Sequence, residues 1–303
     1  MTESILITGA NGLLGRKLVD LLAGRKSLRV IATGKGEKRI PKPGCEYVSL
    51  DVTDADAVRY ALKELRPSAV IHCAAMTNVD ACELDPPACQ AANVDAVRFV
   101  IEGCENAGAR LVHISTDFVF DGADGPYDEN AVPNPLSVYG KAKWKAEEYV
   151  KAAKIPAAIV RTMLIYGVTP DMSRSNIVLW VKKSLEEGKS IRVVNDQYRM
   201  PTLAEDLAAG VTELVVREKK GIWHLSGAEG MTMYELAHRV AAHWGLKAEL
   251  IASTDSESLN QPARRPPRTG FILLKAQTEL AYRPHSFKSG LGVVAQQLQE
   301  YAR

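Results

Sequence analysis

The sequence predicts an α/β protein, a doubly wound parallel sheet carrying a smaller C-terminal lobe. Three observations predict it. Short β-branched runs alternate with amphipathic stretches through the first half of the chain, the sequence form of parallel strands covered on both faces. Glycines crowd the turn between the first run and the first amphipathic stretch. The 303 residues, 46% hydrophobic and 24% charged, suffice for a large core and exclude both a stapled peptide and a disordered chain.

Taken in order, Ser4 to Thr8, Leu28 to Thr33, Ala69 to His72, Leu111 to Ser115 and Ala157 to Arg161 read as buried strands. Between them Leu14, Leu18, Leu21 and Leu22 recur at helical spacing, as do Val94, Val97, Val100 and Ile101. Beyond about Arg161 the alternation loosens. A helix is expected over Ile177 to Glu187, strands over Ile191 to Asn195 and Trp223 to Ser226, and helices over Thr232 to Trp244 and Ser289 to Tyr301. The segment Gln261 to Arg268 (QPARRPPR) cannot be helical throughout, because proline lacks the amide donor and fixes φ.

Gly9, Gly12 and Gly15 form G-x-x-G-x-x-G between the first strand and the first helix. Such a turn lets backbone approach a pyrophosphate, with helix N–H groups as donors, although glycines can also serve only to pack a strand on a helix. The order strand, glycines, helix, strand favours a Rossmann-like dinucleotide site, with Asn11, Leu13 and Leu14 in the same turn. Residues 1–165 are therefore assigned to a dinucleotide-binding domain and 166–303 mainly to a substrate-binding lobe, the chain being free to return to the first domain after residue 190. An acidic residue about 20 positions beyond the glycines would hold a ribose hydroxyl of NAD. Here the second strand runs into Lys35, followed by Lys38 and Arg39, which favours NADP(H); Glu37 keeps NAD(H) open.

Tyr139 and Lys143 stand at i and i+4, on one face of a helix, whereas Lys141 points elsewhere. A tyrosine ionises near pH ~10, and a neighbouring ammonium favours its phenolate, so the pair can exchange a proton with an alcohol or carbonyl oxygen. Ser115-Thr116-Asp117 ends another parallel strand, where ligands of open α/β sheets collect. Thr116 is positioned to hydrogen-bond the reacting oxygen and Asp117 to face the same crevice; the alternative for Asp117 is a turn cap.

These residues resemble the extended short-chain dehydrogenase/reductases: the glycine turn, His72-Cys73-Ala74-Ala75, STDFVFDG from Ser115 to Gly122, and YGKAKWKAE from Tyr139 to Glu147. More narrowly, the chain is similar to the dTDP-4-dehydrorhamnose reductases through AAMTNVDACE (Ala74 to Glu83), VVNDQYRMPT (Val193 to Thr202) and Arg265-Pro266 followed by Leu273. The resemblance implies a catalytic triad of Thr116, Tyr139 and Lys143, with Lys143 also on the nicotinamide ribose. It places Asp51 and Val52 beside the adenine, Ala74 and Ala75 along the cofactor, and Asn93 on the supporting helix. It further implies that Leu164 faces the sugar and that Asn176 and Gln197 contact nucleotide or sugar. The cluster of Arg264, Arg265 and Arg268 reads either as a solvated loop or as a clamp for a nucleotide diphosphate, for which arginine forks are suited. The implied reaction is NADPH-dependent reduction of the 4-keto group of a nucleotide-linked 6-deoxy sugar.

Two positions depart from that pattern. Met163 and Leu164 follow Arg161-Thr162 where the family has a small residue and a tryptophan, and Arg199 replaces the glycine of D-Q-x-G-x-P-T. Related dehydratases carry Asp-Glu after the threonine; Asp117 is followed by Phe118, which disfavours dehydration. The alternatives are another nucleotide-sugar reductase or an epimerase, and a non-catalytic NADP-binding regulatory subunit like that of methionine adenosyltransferase. His224 and His238, and Trp180 and Trp244, are read as packing groups.

The 38 basic and 36 acidic residues leave +2, without the basic field a nucleic-acid binder needs. Cys45, Cys73, Cys82, Cys89 and Cys104 lack zinc-type spacing and read as reduced thiols, with no metal site expected. No basic leader or apolar stretch of ~20 residues is evident, so the expectation is a cytoplasmic protein off the membrane, with a homodimer left open.

Overall fold

The computed structural model describes residues 3–37, 44–170 and 175–302. In chain order the first half runs β1 (Glu3–Thr8), α1 (Leu13–Leu22), β2 (Leu28–Gly34), β3 (Cys45–Ser49), α2 (Ala55–Leu65), β4 (Ala69–His72), α3 (Val79–Leu84), α4 (Pro86–Gln90), α5 (Ala96–Ala107), β5 (Arg110–Thr116), α6 (Val138–Ala152) and β6 (Ala157–Thr162). The second half runs β7 (Ile165–Tyr166), α7 (Ile177–Glu186), β8 (Ile191–Val194), β9 (Tyr198–Arg199), β10 (Thr202–Leu203), α8 (Ala204–Val216) and β11 (Gly221–His224). It ends with β12 (Met231–Thr232), α9 (Met233–Trp244), β13 (Ile251–Thr254), α10 (Leu274–Glu279) and α11 (Phe287–Tyr301).

Seven of the described strands form one parallel sheet in the order β11-β6-β5-β4-β1-β2-β3. The order turns around between β1 and β4, and a crevice opens beyond their carboxyl ends at such a switch point. Strands β1, β4 and β6 are buried on nearly every residue, as strands covered on both faces must be. β3 was not expected from the sequence: it lies at the sheet edge, and its half-exposed CEYVS pattern offers no apolar run.

The late strand at Trp223 ends at His224, two residues sooner than expected, and pairs with β6, so the chain returns to the central sheet after residue 190. Leu207, Val211 and Leu214 of α8 join Leu14 and Leu18 of α1 in one core on the sheet. A second core gathers Val178, Val181 and Leu185 of α7, Val193 of β8, Leu236 and Val240 of α9, and Leu291 of α11. Trp244 packs on that core, whereas Trp180 is 40% exposed and is not the packing group expected. Residues Gln261 to Arg268 form an irregular segment. Cys73, Cys82, Cys89 and Cys104 are free thiols.

Candidate active site

The glycine turn is built by close backbone approach. Gly9 has φ +66°, and a Cβ there would lie 2.8 Å from the Ala74 amide nitrogen. A Cβ on Gly15 would strike the Gly9 carbonyl and come within 2.7 Å of Ala10 Cα. Gly12 is different: it is the N-cap of α1, supplies no side-chain acceptor to the first turn, and has only the Gly9 oxygen at 3.2 Å from a built Cβ. That uncapped helix start is chemically suited to a pyrophosphate. Leu14 is buried in the core, so only its backbone amide is available to a cofactor. Asn11 ties the turn to the end of β2 by donating to the Glu37 carbonyl at 3.1 Å and the Tyr47 hydroxyl at 3.0 Å. Tyr47, which sequence reasoning missed, lies 3.0 Å from the Gly34 carbonyl and shapes the same corner.

At that corner Lys35 Nζ is 2.8 Å from Asp51 Oδ2, and this bridge, with the Thr53 hydroxyl, holds the Asp51 carboxyl down at about 2. Lys35 remains 81% exposed. Val52 packs its side chain toward the core beneath. Lys38 and Arg39 lie outside the described residues. On the opposite wall, the Ala74 amide donates to Thr8 Oγ1, and Ala74 and Ala75 are half-buried. Asn93 sits in a π turn, Ala91–Asp95, and clamps both the amide and the carbonyl of Met76 at 3.0 Å. Such turns insert a residue where a site needs a side chain re-aimed.

Thr116 ends β5, and Tyr139 and Lys143 share the buried face of α6, where Ser137 caps the helix by accepting from the Gly140 amide. All three side chains are buried. Burial pushes the Tyr139 phenol up, while the nearby Thr116 hydroxyl acts in the opposite sense. The expected stabilisation of a phenolate by Lys143 is not the arrangement found. Its Nζ donates to the Ile114 carbonyl at 2.7 Å and meets His113 Nε2 at 3.2 Å, because a buried ammonium takes the nearest backbone acceptor. Burial draws Lys143 down to about 8, with Glu147 opposing. Tyr139 is thus a neutral phenol, which is the state a proton donor needs.

Behind the triad lies a charged network that the sequence reading did not single out. Glu147, another turn along α6, accepts from Ser115 Oγ at 2.6 Å and from the Arg161 guanidinium, which also lies 5.0 Å over the Phe120 ring. The Tyr139, Lys143, Glu147 spacing of four was the available signal. His224 packs as expected, stacked on Phe271 and bonded through Nδ1 to the Tyr127 carbonyl.

Several expected substrate contacts are otherwise engaged. Asp117 faces inward: Oδ1 accepts from Thr116 at 3.1 Å and Oδ2 from Thr269 at 2.5 Å, with Arg199 Nε 3.5 Å away. Arg265 grips Asp80 through both terminal nitrogens, at 3.0 and 2.7 Å. Asn176 caps α7, accepting from the Leu179 amide and donating to the Gly167 carbonyl. Gln197 is buried and donates to Ser256. Leu164 stands between β6 and β7 at φ +41°, half-buried against the second core. The second half of the chain thus brings Arg199 and Thr269 to Asp117, next to Thr116, while Arg265 and Gln197 are spent on protein partners. No group of three metal-type ligands occurs among the described residues, and none of their helices is long and apolar enough to cross a membrane.

A glycine turn at the switch point, Thr116 at the end of β5 and a Tyr–Lys pair on α6 define an extended short-chain dehydrogenase/reductase. Within that class, the chain belongs to the RmlD substrate-binding domain family, whose model matches residues 2–300. Methionine adenosyltransferase 2 subunit beta of Xenopus tropicalis is 34% identical over 264 residues, 86% of this chain and 77% of that protein. The dTDP-4-dehydrorhamnose reductase of Streptomyces griseus is 35% identical over 268 residues, 86% of this chain and 83% of that enzyme. The crystal structure of the Bacillus anthracis dTDP-4-dehydrorhamnose reductase in complex with NADP superposes with a TM-score of 0.84 at 28% identity, covering 98% and 100% of the two chains.

Proposed function

We propose that this protein is an NADPH-dependent reductase of the 4-keto group of a nucleotide-linked 6-deoxy sugar, of the dTDP-4-dehydrorhamnose reductase type. The convergence of Thr116, Tyr139 and Lys143 at the mouth shared with the glycine turn carries the reading. Bound NADPH would supply the hydride to C4. The backbone of Gly9, Gly12, Leu13, Leu14 and Gly15 would hold its pyrophosphate, with Asn11 keeping the turn in shape. Lys35 would take the 2′-phosphate, with Asp51 and Val52 beside the adenine and Ala74, Ala75 and Asn93 along the inner wall.

Tyr139 would then give its proton to O4 while Thr116, on turning its hydroxyl proton away from Asp117, would hydrogen-bond the same oxygen, and Lys143, on leaving the Ile114 carbonyl, would hold the ribose. Asp117, saturated by Thr116, Thr269 and Arg199, is in no position to act as a free acid, which supports reduction over dehydration. We assign the substrate lobe mainly to residues 166–303, apart from α8 and β11, which return to the central sheet. The sugar would contact Leu164, and Arg265 would reach a diphosphate on leaving Asp80. A cytoplasmic location and a homodimer complete the proposal.

The likeness to methionine adenosyltransferase 2 subunit beta favours one second reading, an NADP-binding regulatory subunit. NADPH oxidation, followed by absorbance with dTDP-4-keto-6-deoxy sugars, separates the two. Turnover abolished by Tyr139→Phe with NADPH binding intact supports the reductase. Tight NADPH binding without turnover supports the regulatory role, and conversion of sugar without NADPH consumption indicates an epimerase.

A further inference from the structure

Arg199 occupies the position where the reductase pattern has glycine, and its side chain is almost wholly buried on β9. Every arm of its guanidinium is used. Nη2 donates to the Pro266 carbonyl at 2.7 Å, Nη1 to the Tyr198 carbonyl at 2.7 Å and the Pro267 carbonyl at 3.3 Å, and Nε lies 3.5 Å from Asp117 Oδ2. The guanidinium carbon is 5.8 Å from the Phe118 ring centre. Asp117 in turn holds the Thr116 hydroxyl through its other oxygen. The Pro266–Pro267 backbone belongs to the segment bearing Arg264, Arg265 and Arg268. One planar cation therefore touches both the backbone of the arginine segment and the carboxylate that orients the hydroxyl at the reacting centre. A glycine could make none of these contacts.

We propose that Arg199 is a positioning residue that fixes the arginine segment 264–268 relative to the Thr116 hydroxyl, so that the region suited to a nucleotide diphosphate and the group suited to the sugar carbonyl are held in one register. This deepens the reductase reading and rests on it for its catalytic consequence. The geometry explains why arginine is needed: a lysine at 199 can offer its charge to Asp117 but lacks the fork that reaches the Pro266 and Pro267 carbonyls together. The charged and titratable groups around Asp117 are Arg199 from β9 and the Tyr139 phenol from α6, with Arg265 acting on Arg199 from the segment itself.

The test compares Arg199→Met and Arg199→Lys with wild type by three readouts. These are the carboxyl carbon-13 titration of Asp117, assigned with Asp117→Asn; the rate of limited trypsin cleavage after Arg264 and Arg268; and the KM and kcat for a dTDP-4-keto-6-deoxy sugar. Arg199→Met should raise the Asp117 titration by about one pH unit or more, speed cleavage, and lower kcat/KM about tenfold or more. Arg199→Lys should restore the titration without restoring protease resistance or KM. Unchanged titration and cleavage in Arg199→Met overturn the proposal, as does full recovery of all three readouts by lysine. Should Arg199→Met fail to fold, the double variant Arg199→Met/Asp117→Asn, which removes the stranded carboxylate, is read by cleavage rate; cleavage as slow as in wild type overturns the proposal. If wild type fails to reduce any keto sugar while titration and cleavage shift as stated, the register role stands and the reductase reading falls.

Discussion

Arg161 and Glu147 meet in a fully buried pair behind the triad, Nη2 to Oε2 at 2.7 Å and Nε to Oε1 at 3.0 Å, joining β6 to α6. Ser115 Oγ adds a bond to the same carboxylate, and His224 Nε2 lies 3.5 Å from the guanidinium. A pair so enclosed contributes little relative to an apolar isostere, but removing one partner strands the other charge. Glu147→Gln should therefore cost about 3–5 kcal/mol of stability, measured by urea unfolding. A loss below about 1 kcal/mol would place the pair among exposed bridges instead.

Three buried imidazoles make the fold sensitive to mild acid. Burial, helped by Lys143, depresses His72 to about 3 and His113 well below its ordinary value; burial and then Arg161 depress His224 to about 3. Each is neutral when folded and binds a proton when unfolded below pH ~6.5. Unfolding then takes up protons, so stability is complete above that pH and is lost as pH falls toward the folded values, by up to about 1.4 kcal/mol per pH unit for each histidine. Urea midpoints should fall steadily between pH 7 and pH 5 by these rules. A flat profile over that range would show that the imidazoles titrate normally in the fold.

The glycines divide into two kinds, and alanine should separate them. In Gly15→Ala the new methyl meets backbone of Gly9 and Ala10, which cannot move aside without opening the β1–α1 packing. That variant should lose about 1–3 kcal/mol or fail to fold. Gly12→Ala meets a single oxygen at 3.2 Å with ordinary extended backbone, so folding should be kept while the methyl crowds the uncapped helix start. Calorimetry should show near-native thermal stability and weakened NADPH binding for Gly12→Ala; unimpaired NADPH binding would move the pyrophosphate elsewhere.

What was legible in the sequence was local. Tyr139 and Lys143 share a face because of their spacing, and Thr116 and the glycines are fixed by their place at strand ends. The partners of the more distant residues were not legible. Asp80 and Arg265 are 185 positions apart, and Asp117 and Thr269 152 apart, so only tertiary docking decides that these partners meet each other. The direction of Lys143 was hidden for a related reason: helix spacing places its Cα, but a buried Nζ goes to whichever backbone acceptor it can reach, here the Ile114 carbonyl. Edge strand β3 escaped because a strand half open to solvent carries no continuous apolar run.

On the proposed reading, cofactor preference turns on the bridge between Lys35 and Asp51. The lysine directly follows β2, where a ribose 2′-phosphate would arrive, yet its ammonium is already 2.8 Å from a carboxylate. Being 81% exposed, Lys35 can leave that partner at little cost, since solvent screens exposed pairs. A dianionic phosphate then competes well with a single carboxylate, whereas a hydroxyl does not. Lys35→Gln should therefore weaken NADPH binding roughly five- to thirtyfold and leave NADH nearly unchanged. Asp51→Asn should act in the opposite sense on NADPH, because it frees the lysine. Titrations of both nucleotides at two salt concentrations decide the matter: the NADPH advantage should shrink as salt screens it, and equal losses for both nucleotides in Lys35→Gln would show that the lysine shapes the corner without reading the phosphate.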